Sequence, residues 1–379
     1  MYAKFGLFSQ AWSVLYNSLL RDVVSWTALI AGYVYHQSSQ EALICFELMQ
    51  LERVPSNPVT LICVLKACGN VGALEKVVKI HAQMLKHGMM ESESAVGNVL
   101  VDMYCKCGFL KKARELFDHL VTRDVVSWNA LMFGYADHNY ASEVLSFFEQ
   151  MQLVGVSPDA VSFVCILKAC GTLGAIQKGT EIHNEISRRG LLERDCIIGN
   201  ALVDMYAKCG LLARAREVFG RLLVHDPVTW SSLITAYCQL GLNNSVFATF
   251  NSMEREGVKP DLVTFISVLK TCSQTCLVDK GQVFFDAISK DFGLVPTLEH
   301  HTCMVDLFGQ AGHLDKAVAL VKRMPFDLDV GVWHTLLDIC LNWGHVELGL
   351  KAFSNAVQLD DKDGVAYVRM SSIYADACL

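Results

Sequence analysis

The sequence predicts an all-α fold, a right-handed superhelical solenoid of stacked helix-turn-helix repeats. Short motifs recur every 102 residues, since MYAKFG, MYCKCG, MYAKCG and LFGQAG begin at residues 1, 103, 205 and 307. Apolar residues make up 52% of the 379 residues and charged residues only 19%, which excludes a disordered chain. Nowhere does a run alternate apolar and polar residues between hairpin turns, as strands would.

Each 102-residue unit divides into three pieces with one layout. In the second unit these are Val125–Asp159, Ala160–Asp195 and Cys196–Asp226, of 35, 36 and 31 residues. Each piece has two apolar runs with helical spacing, separated by a Gly or polar break, and a final loop. Gly155 and Gly257 stand where a helix-ending glycine is expected. One such helix hairpin cannot bury its apolar face alone, so we expect the hairpins to stack.

Composition narrows the class of protein further. The 15 cysteines occur in apolar runs such as LKAC and MYCKCG, which predicts small buried side chains and neither a disulfide framework nor a metal site. The uncharged stretch Val23–Gln40 contains too many polar residues to predict a membrane span. A net charge of −7 gives no global basic field, so nucleic-acid binding would depend on locally placed side chains.

The motifs of the three pieces carry a family resemblance over essentially the whole chain. NALVDMYAKCG…AREVF, VVSWNALMFGY…MQLVGVSPD and FVCILKACGTLGAIQKGTEIH resemble the S, P and L motifs of plant pentatricopeptide repeat (PPR) proteins of the PLS subclass. This resemblance implies a partial S repeat at 1–22, three triplets of P, L and S repeats in that order, and two E-like motifs. The triplets span 23–57, 58–93 and 94–124, then 125–159, 160–195 and 196–226, then 227–261, 262–297 and 298–329. An E1-like motif follows at 330–363 and a truncated E2-like motif at 364–379.

Asparagine returns at the fifth position of three repeats, as Asn98, Asn129 and Asn200. Asn is a poor residue for the interior of a helix, and its amide suits the Watson–Crick edge of a base. The resemblance implies that each repeat binds one base of single-stranded RNA through its fifth and last residues. The alternative is that the amides bond the neighbouring repeat and stiffen the stack.

Aspartate ends most of the same repeats. Asp124, Asp159, Asp226 and Asp261 each precede a predicted helix. The resemblance gives them a part in base recognition, whereas elementary helix chemistry makes them N-caps. The two roles are compatible.

Carried over residue by residue, the resemblance implies a target RNA. The pair Thr27 with Asn57 corresponds to adenine, although the loop before Asn57 departs from the later copies. The remaining pairs are Asn98 with Asp124, Asn129 with Asp159 and Asn200 with Asp226 for pyrimidines, uracil favoured, and Ser231 with Asp261 and Thr302 with Asp329 for guanine. Ile62, Val164 and Ile266 hold the fifth position of the L repeats and leave their bases open. The expected RNA is 5′-A-n-Y-Y-n-Y-G-n-G-3′, parallel to the chain.

A P-L-S array followed by E motifs resembles the site-recognition factors for cytidine-to-uridine editing of organelle transcripts. This implies a mitochondrial or chloroplast protein, although no transit peptide precedes the array. It also implies that a deaminase is recruited in trans through the E region, with no enzyme activity in this chain. His345-Val346-Glu347 matches the H-x-E of zinc deaminases, but no C-x-x-C follows, so we expect neither a metal nor another cofactor.

Several patterns have a packing interpretation. Trp26, Trp128 and Trp230 repeat at the fourth position and are expected as buried anchors, with stacking on bases as the alternative. Phe285 replaces His81 and His183 in the third copy, which indicates packing rather than metal ligation.

Other functions stay open at this point. They are an RNA binder in stability, splicing or translation, a protein-interaction scaffold, and a non-functional remnant or fragment. A scaffold is expected to have irregular groove residues, whereas the P and S repeats keep Asn, Thr or Ser at the fifth position and Asp or Asn at the last.

Overall fold

The computed structural model describes residues 2–17, 21–86, 94–192 and 196–377. Within these ranges all regular structure is helical, with α-helices of 10 to 14 residues, as the sequence predicts. Predicted repeat ends at Glu93 and Asp195 lie outside the described residues, as do Met1, Cys378 and Leu379.

The chain divides into two compact units, Met1–Arg189 and Gly190–Leu379. After a 3-10 turn at Tyr2–Phe5, the helices of the first unit are α1 (Phe8–Asn17), α2 (Val23–Tyr35), α3 (Ser39–Leu51), α4 (Pro58–Val71), α5 (Leu74–Lys86), α6 (Ser94–Lys106), α7 (Leu110–His119), α8 (Val125–Asp137), α9 (Ala141–Leu153), α10 (Ala160–Leu173) and α11 (Ile176–Arg188). Those of the second unit are α12 (Cys196–Lys208), α13 (Leu212–Arg221), α14 (Pro227–Gln239), α15 (Asn243–Arg255), α16 (Leu262–Gln274), α17 (Val278–Lys290), α18 (Leu298–Gln310), α19 (Leu314–Arg323), α20 (Val330–Trp343), α21 (Val346–Leu359) and α22 (Gly364–Asp376).

Each unit is a stack of helix hairpins. In the first unit α2, α4, α6 and α8 each pack on the second helix of their own hairpin and on the first helix of the next. In the second unit α12, α14, α16, α18 and α20 do the same. The first helices of a unit therefore form one continuous layer, and an apolar core fills the space between the hairpins.

Most first helices begin at a residue whose side chain caps the helix. A side-chain oxygen of each accepts the N–H of the third helical residue at 2.7 to 3.0 Å, at Asp22, Asn57, Asp124, Asp159, Asp226, Asp261 and Asp329. An N-cap satisfies an otherwise unpaired backbone donor and contributes about 0.5–2 kcal/mol. The capping role predicted for the repeat-ending aspartates is therefore confirmed.

The tryptophans are buried anchors, as predicted, since Trp26, Trp128 and Trp230 are 1 to 3% exposed. Most cysteines of the described residues are also buried or half-buried. The prediction is wrong for Cys196 and Cys276, which are exposed. Cys196 opens α12, and Cys276 occupies a turn at φ +52°, where the equivalent residue Gly174 has φ +65°.

The recurring small residues let neighbouring hairpins approach closely. A Cβ added at Gly134 of α8 would overlap the side chain of Cys105 in α6, and one at Gly32 of α2 would overlap Ala3. This close approach explains why the equivalent positions Ala3 and Cys105 carry small side chains.

The uncharged stretch that begins at Val23 is divided between α2 and α3. In the part of the chain that the structure describes, no helix is both long and apolar enough to cross a membrane.

Candidate nucleic-acid interface

The residues predicted to recognise bases, the reader residues, are the fifth and last residues of each repeat. They lie at equivalent positions in the stack of helix hairpins. Each fifth residue is in the second turn of a first helix, and each last residue caps the first helix of the following hairpin. The fifth residue of one repeat is thereby brought beside the start of the next first helix. Asn98, Asn129 and Asn200 are only 7 to 8% exposed, and amides buried to this extent usually have hydrogen-bond partners within the protein.

Asn129 is held in a closed network of three side chains. Its Nδ2 donates to Asp159 Oδ1 at 2.9 Å, and its Oδ1 accepts from Ser162 Oγ at 2.6 Å. Asp159 Oδ1 also accepts the Ser162 N–H at 2.9 Å and lies 3.0 Å from Ser162 Oγ. One carboxylate therefore caps α10 and fixes the amide. The contacts that Asn129 and Ser162 make with this carboxylate all end on Oδ1 and leave Oδ2 to other donors.

Asn200 repeats this arrangement in the second unit. Its Nδ2 donates to Asp226 Oδ1 and Oδ2 at 3.1 and 3.2 Å, and its Oδ1 accepts from Thr229 Oγ1 at 2.5 Å. Thr229 Oγ1 also lies 2.8 Å from Asp226 Oδ1. In both networks a hydroxyl of the following repeat donates to the amide oxygen. Asn129 Nδ2 makes one hydrogen bond, to Asp159 Oδ1, and so keeps a second N–H, whereas Asn200 Nδ2 contacts both oxygens of Asp226.

The network at Asn98 is incomplete. Asn98 Nδ2 donates to Asp124 Oδ1 at 3.1 Å, but Ser127 Oγ turns to the backbone carbonyl of Asp124 at 2.8 Å. As a result Asn98 Oδ1 is buried without a hydrogen-bond partner among the described residues. The three Asn–Asp pairs share one register and differ in how firmly the amide is fixed.

The carboxylates of the two closed networks stay charged. Burial raises the pKa of Asp159, but hydrogen bonds from the Ser162 N–H, Asn129 and the Ser162 hydroxyl outweigh it and lower the pKa below its ordinary value of 3.8. For Asp226 burial is likewise outweighed by hydrogen bonds from Thr229 and Asn200, and its pKa is also lowered. Both side chains are therefore acceptors at neutral pH.

Thr27 and Asn57 are joined through a third residue. Thr27 Oγ1 lies 2.5 Å from Thr60 Oγ1, and Asn57 Oδ1 accepts both the N–H and the hydroxyl of Thr60 at 2.8 Å. The Asn57 Nδ2 atom makes no hydrogen bond to the described residues, so it is left as a donor.

In the two hydroxyl–Asp pairs, Ser231 with Asp261 and Thr302 with Asp329, the hydroxyl does not hydrogen-bond to its aspartate. Ser231 Oγ donates to the carbonyl of Val228 at 3.1 Å, and Thr302 Oγ1 donates to that of Leu298 at 2.9 Å. Their partners Asp261 and Asp329 act as caps. Thr302 and Asp329 nevertheless line one surface hollow in the second unit.

Sequence patterns did not predict a row of exposed aliphatic side chains at the second position of most repeats. The predicted P repeats have Val24, Val126 and Val228 there, between 51 and 66% exposed. The predicted L repeats have Val59, Val161 and Val263 there, also about half exposed. A residue three positions before the fifth shares its helix face, so these side chains border the reader residues. The only signal was an apolar second letter inside VVSW and PVTW.

The E1-like segment carries a further pair in the same register. His334 is the fifth residue after Asp329, and its Nε2 lies 2.6 Å from Asp363 Oδ2. Asp363 Oδ1 accepts the N–H groups of Val365 and Ala366 at the start of α22. Burial raises the pKa of Asp363, but the hydrogen bond from His334 and those from the backbone lower it overall. Counting five residues into the E1-like motif would have found this pair.

The H-x-E match lies at a helix start. His345 precedes α21, and Glu347 in its first turn pairs with Lys351 at 3.1 Å. Across the described ranges, no three His, Cys, Asp or Glu side chains are grouped so that they could hold a metal ion.

Family comparisons match repeats in both units. The model described as "PPR repeat family" matches residues 123–172 and 225–274. The model described as "PPR repeat" matches residues 24–54, 59–89, 98–125, 200–226 and 299–326.

Similar Arabidopsis thaliana proteins extend over the whole chain. A mitochondrial pentatricopeptide repeat-containing protein is 34% identical over 100% of this chain and 44% of its own length. A second mitochondrial one is 33% identical over 100% of this chain and 67% of its own length. A chloroplastic one is 33% identical over 99% of this chain and 43% of its own length. The chain thus spans about half the length of most of these relatives.

Solved structures show the same fold. The crystal structure of the pentatricopeptide repeat protein PPR10 with an 18-nt psaJ RNA element matches 99% of this chain and 57% of that one, with a TM-score of 0.72 and 19% identity. A crystal structure of maize PPR10 matches 100% of this chain and 65% of that one, with a TM-score of 0.54 and 18% identity. Together with the family models and the relatives, these likenesses identify the helix-hairpin solenoid, and the chain belongs to the pentatricopeptide repeat family of plant proteins.

Proposed function

We propose that this chain binds single-stranded RNA in a sequence-specific way and acts as a site-recognition factor for cytidine-to-uridine editing in an organelle. The observation that carries the proposal is the repeated Asn–Asp pair. Three such pairs, joined by hydrogen bonds of 2.9 to 3.1 Å, occur at one register of the stack beside exposed valines. The fifth and last residues are the base readers implied by the family.

The closed network at Asn129 matches the edge of uracil. The Asn129 amide keeps a spare N–H because its nitrogen makes one hydrogen bond, and Asp159 Oδ2 is the carboxylate oxygen that Asn129 and Ser162 leave unoccupied. Uracil presents carbonyl acceptors beside the N3–H donor, so a donor and an acceptor side by side are complementary to it. Cytosine lacks the N3 proton and fits less well. This supports uracil over cytosine at the pyrimidine positions.

The remaining pairs suit purines. At Ser231 with Asp261 and at Thr302 with Asp329 the carboxylate is free of the fifth residue, so it can accept the N1–H and N2–H groups of guanine. At Thr27 the partner Asn57 keeps a free amide donor, which suits the ring-nitrogen acceptors of adenine. The second-position valines would pack against the faces of the bases, as apolar side chains do in other nucleic-acid sites.

The similar proteins support RNA binding and an organellar location. PPR10 is crystallised with an 18-nt RNA element, and relatives carry mitochondrial or chloroplastic names. Editing itself rests on the resemblance of the segment from Val330 onward to E motifs. The deamination would be done in trans by a zinc deaminase, which activates water on its metal and uses a Glu for proton transfer.

A gel shift with the purified chain tests RNA recognition. One probe is 5′-A-n-U-U-n-U-G-n-G-3′ and the second replaces both guanines by adenine. One well-made base contact discriminates by about 1–3 kcal/mol, so two replacements should weaken binding at least tenfold. Equal binding of both probes would contradict the base assignments, and binding of neither probe would favour the scaffold.

The editing role needs its own experiment. The chain is combined with a separate zinc deaminase domain and a transcript that carries the expected element 5′ of a cytidine, and the product is sequenced. We expect uridine at that site only with all three components. RNA binding without any uridine in any such mixture would leave a role in processing or stability and exclude editing.

A further inference from the structure

The L repeats carry a feature that their apolar fifth residues do not explain. Each has a lysine at its ninth position, and these lysines, Lys66, Lys168 and Lys270, recur every 102 residues in the LKAC and LKTC motifs. They lie in α4, α10 and α16, four residues after Ile62, Val164 and Ile266. Residues four apart lie on the same helix face, so each lysine shares the face of the fifth residue.

These lysines are on the surface and accessible. Lys66 and Lys270 are exposed and form no ion pair with the described residues. Lys168 is 44% exposed, pairs with Asp137 at 2.6 Å and lies 5.8 Å from the Phe133 ring centre. An exposed pair of this kind is worth little, so Asp137 can be exchanged for another anion at small cost.

The ninth position differs between repeat types. The P repeats have Ala31, Phe133 and Thr235 there, and the S repeats have Asp102, Asp204 and Asp306. Two of these aspartates are paired within their own helices, Asp102 with Lys106 at 3.0 Å and Asp204 with Lys208 at 2.7 Å. Among the three repeat types, only the L repeats have a cationic residue at the ninth position.

One lysine lies directly beside a predicted reader pair. Lys270 lines the same surface hollow as Thr302 and Asp329. A strand whose base is read there would pass its sugar–phosphate backbone near the ammonium group. Since the chain has a net charge of −7, binding a polyanion requires cations placed in this way.

We propose that Lys66, Lys168 and Lys270 are phosphate-binding residues, one in each L repeat. This inference rests on the proposed RNA binding and assigns different parts of the RNA to different repeats. The P and S repeats read bases, whereas the L repeats hold the backbone of nucleotides 2, 5 and 8 of the expected element. An ammonium on a flexible stem suits phosphate as a point charge.

The salt dependence of RNA binding tests this assignment. For single strands the slope of log K against log salt changes by about 0.7 for each neutralised phosphate. The variant K66Q/K168Q/K270Q should therefore have a slope smaller by about 2 and bind both probes more weakly by the same factor. The variant K66R/K168R/K270R should keep the slope of the unchanged protein.

The second helices of the L repeats supply a matched control. Lys76, Lys178 and Lys280 are also 102 residues apart; the first two pair with Glu47 and Glu149, and Lys280 lies 3.3 Å from the Phe247 ring centre. The variant K76Q/K178Q/K280Q removes the same charge and should leave the slope unchanged. Circular dichroism checks that all variants fold.

The outcomes separate the two proposals. An unchanged slope for K66Q/K168Q/K270Q, or an equal loss in the control, overturns the phosphate assignment while RNA binding stands. A change in the ratio between the two probes also overturns it, because phosphate contacts carry no sequence information. If the unchanged protein binds no RNA, both proposals fail.

Discussion

The Asn–Asp pairs and the hydroxyl–Asp pairs occupy one register but are bonded in opposite ways. Asn200 reaches out of its helix to Asp226 and Thr229, so it connects two repeats. Thr302 turns back to the carbonyl of Leu298 in its own helix, and Asp329 is left as a cap. On the proposed function, the fifth position would serve recognition alone at Thr302, and both recognition and the contact between repeats at Asn200.

The largest expected effect is a difference in stability between two aspartate variants. D226A removes both the cap of α14 and the acceptor of the buried Asn200 amide, whereas D329A removes only a cap. A cap contributes about 0.5–2 kcal/mol, and an unsatisfied buried group costs about 1–3 kcal/mol more. The urea midpoint should therefore fall further for D226A. Equal midpoints would show that the Asn–Asp bond adds nothing to the stack.

A smaller effect distinguishes the asparagines themselves. N129A loses two hydrogen bonds, whereas N98A loses one and also removes an oxygen that is buried without a partner. At about 1 kcal/mol for each net hydrogen bond, N129A should be less stable than N98A by 1 kcal/mol or more in urea unfolding. The reverse order would mean that Ser162 does not fix the Asn129 amide in solution.

The smallest expected effect is on the pH dependence of stability. The pKa of Asp226 is lower in the folded chain than its ordinary value of 3.8, so its contribution is present above that value. The contribution is lost as the pH falls through the folded pKa. D226N keeps a capping side chain without the titrating group, so its stability should fall less steeply below pH 4 in urea titrations. Parallel curves for the two proteins would contradict this sign.

Much of this fold was predictable because the same pattern of residues recurs in several repeats. Helix periodicity, the caps at Asp124 and Asp159, and the buried tryptophans follow from local chemistry that the sequence shows directly. The bonding of Ser231 and Thr302 to their own helices was not predictable, since a hydroxyl rotamer depends on geometry that spacing does not encode.

Three further features were not predicted from the sequence. The exposed Val126 and Val161 lie within apolar runs, where one outward-facing residue cannot be distinguished from its buried neighbours. The exposed Cys196 was mistaken for core for the same reason. The pair His334 with Asp363 joins two residue types that no other repeat combines, so letter matching passed over it.

The central claim is that the fifth and last residues of a repeat select its base, and an exchange of readers tests it most directly. N129S gives the repeat at Val125–Asp159 the pair that Ser231 and Asp261 form in the equivalent repeat. Binding of N129S and of the unchanged chain is measured on probes with U or G at the fourth nucleotide. We predict that N129S prefers G and the unchanged chain prefers U, each by about tenfold. The same preference in both proteins would contradict the claim.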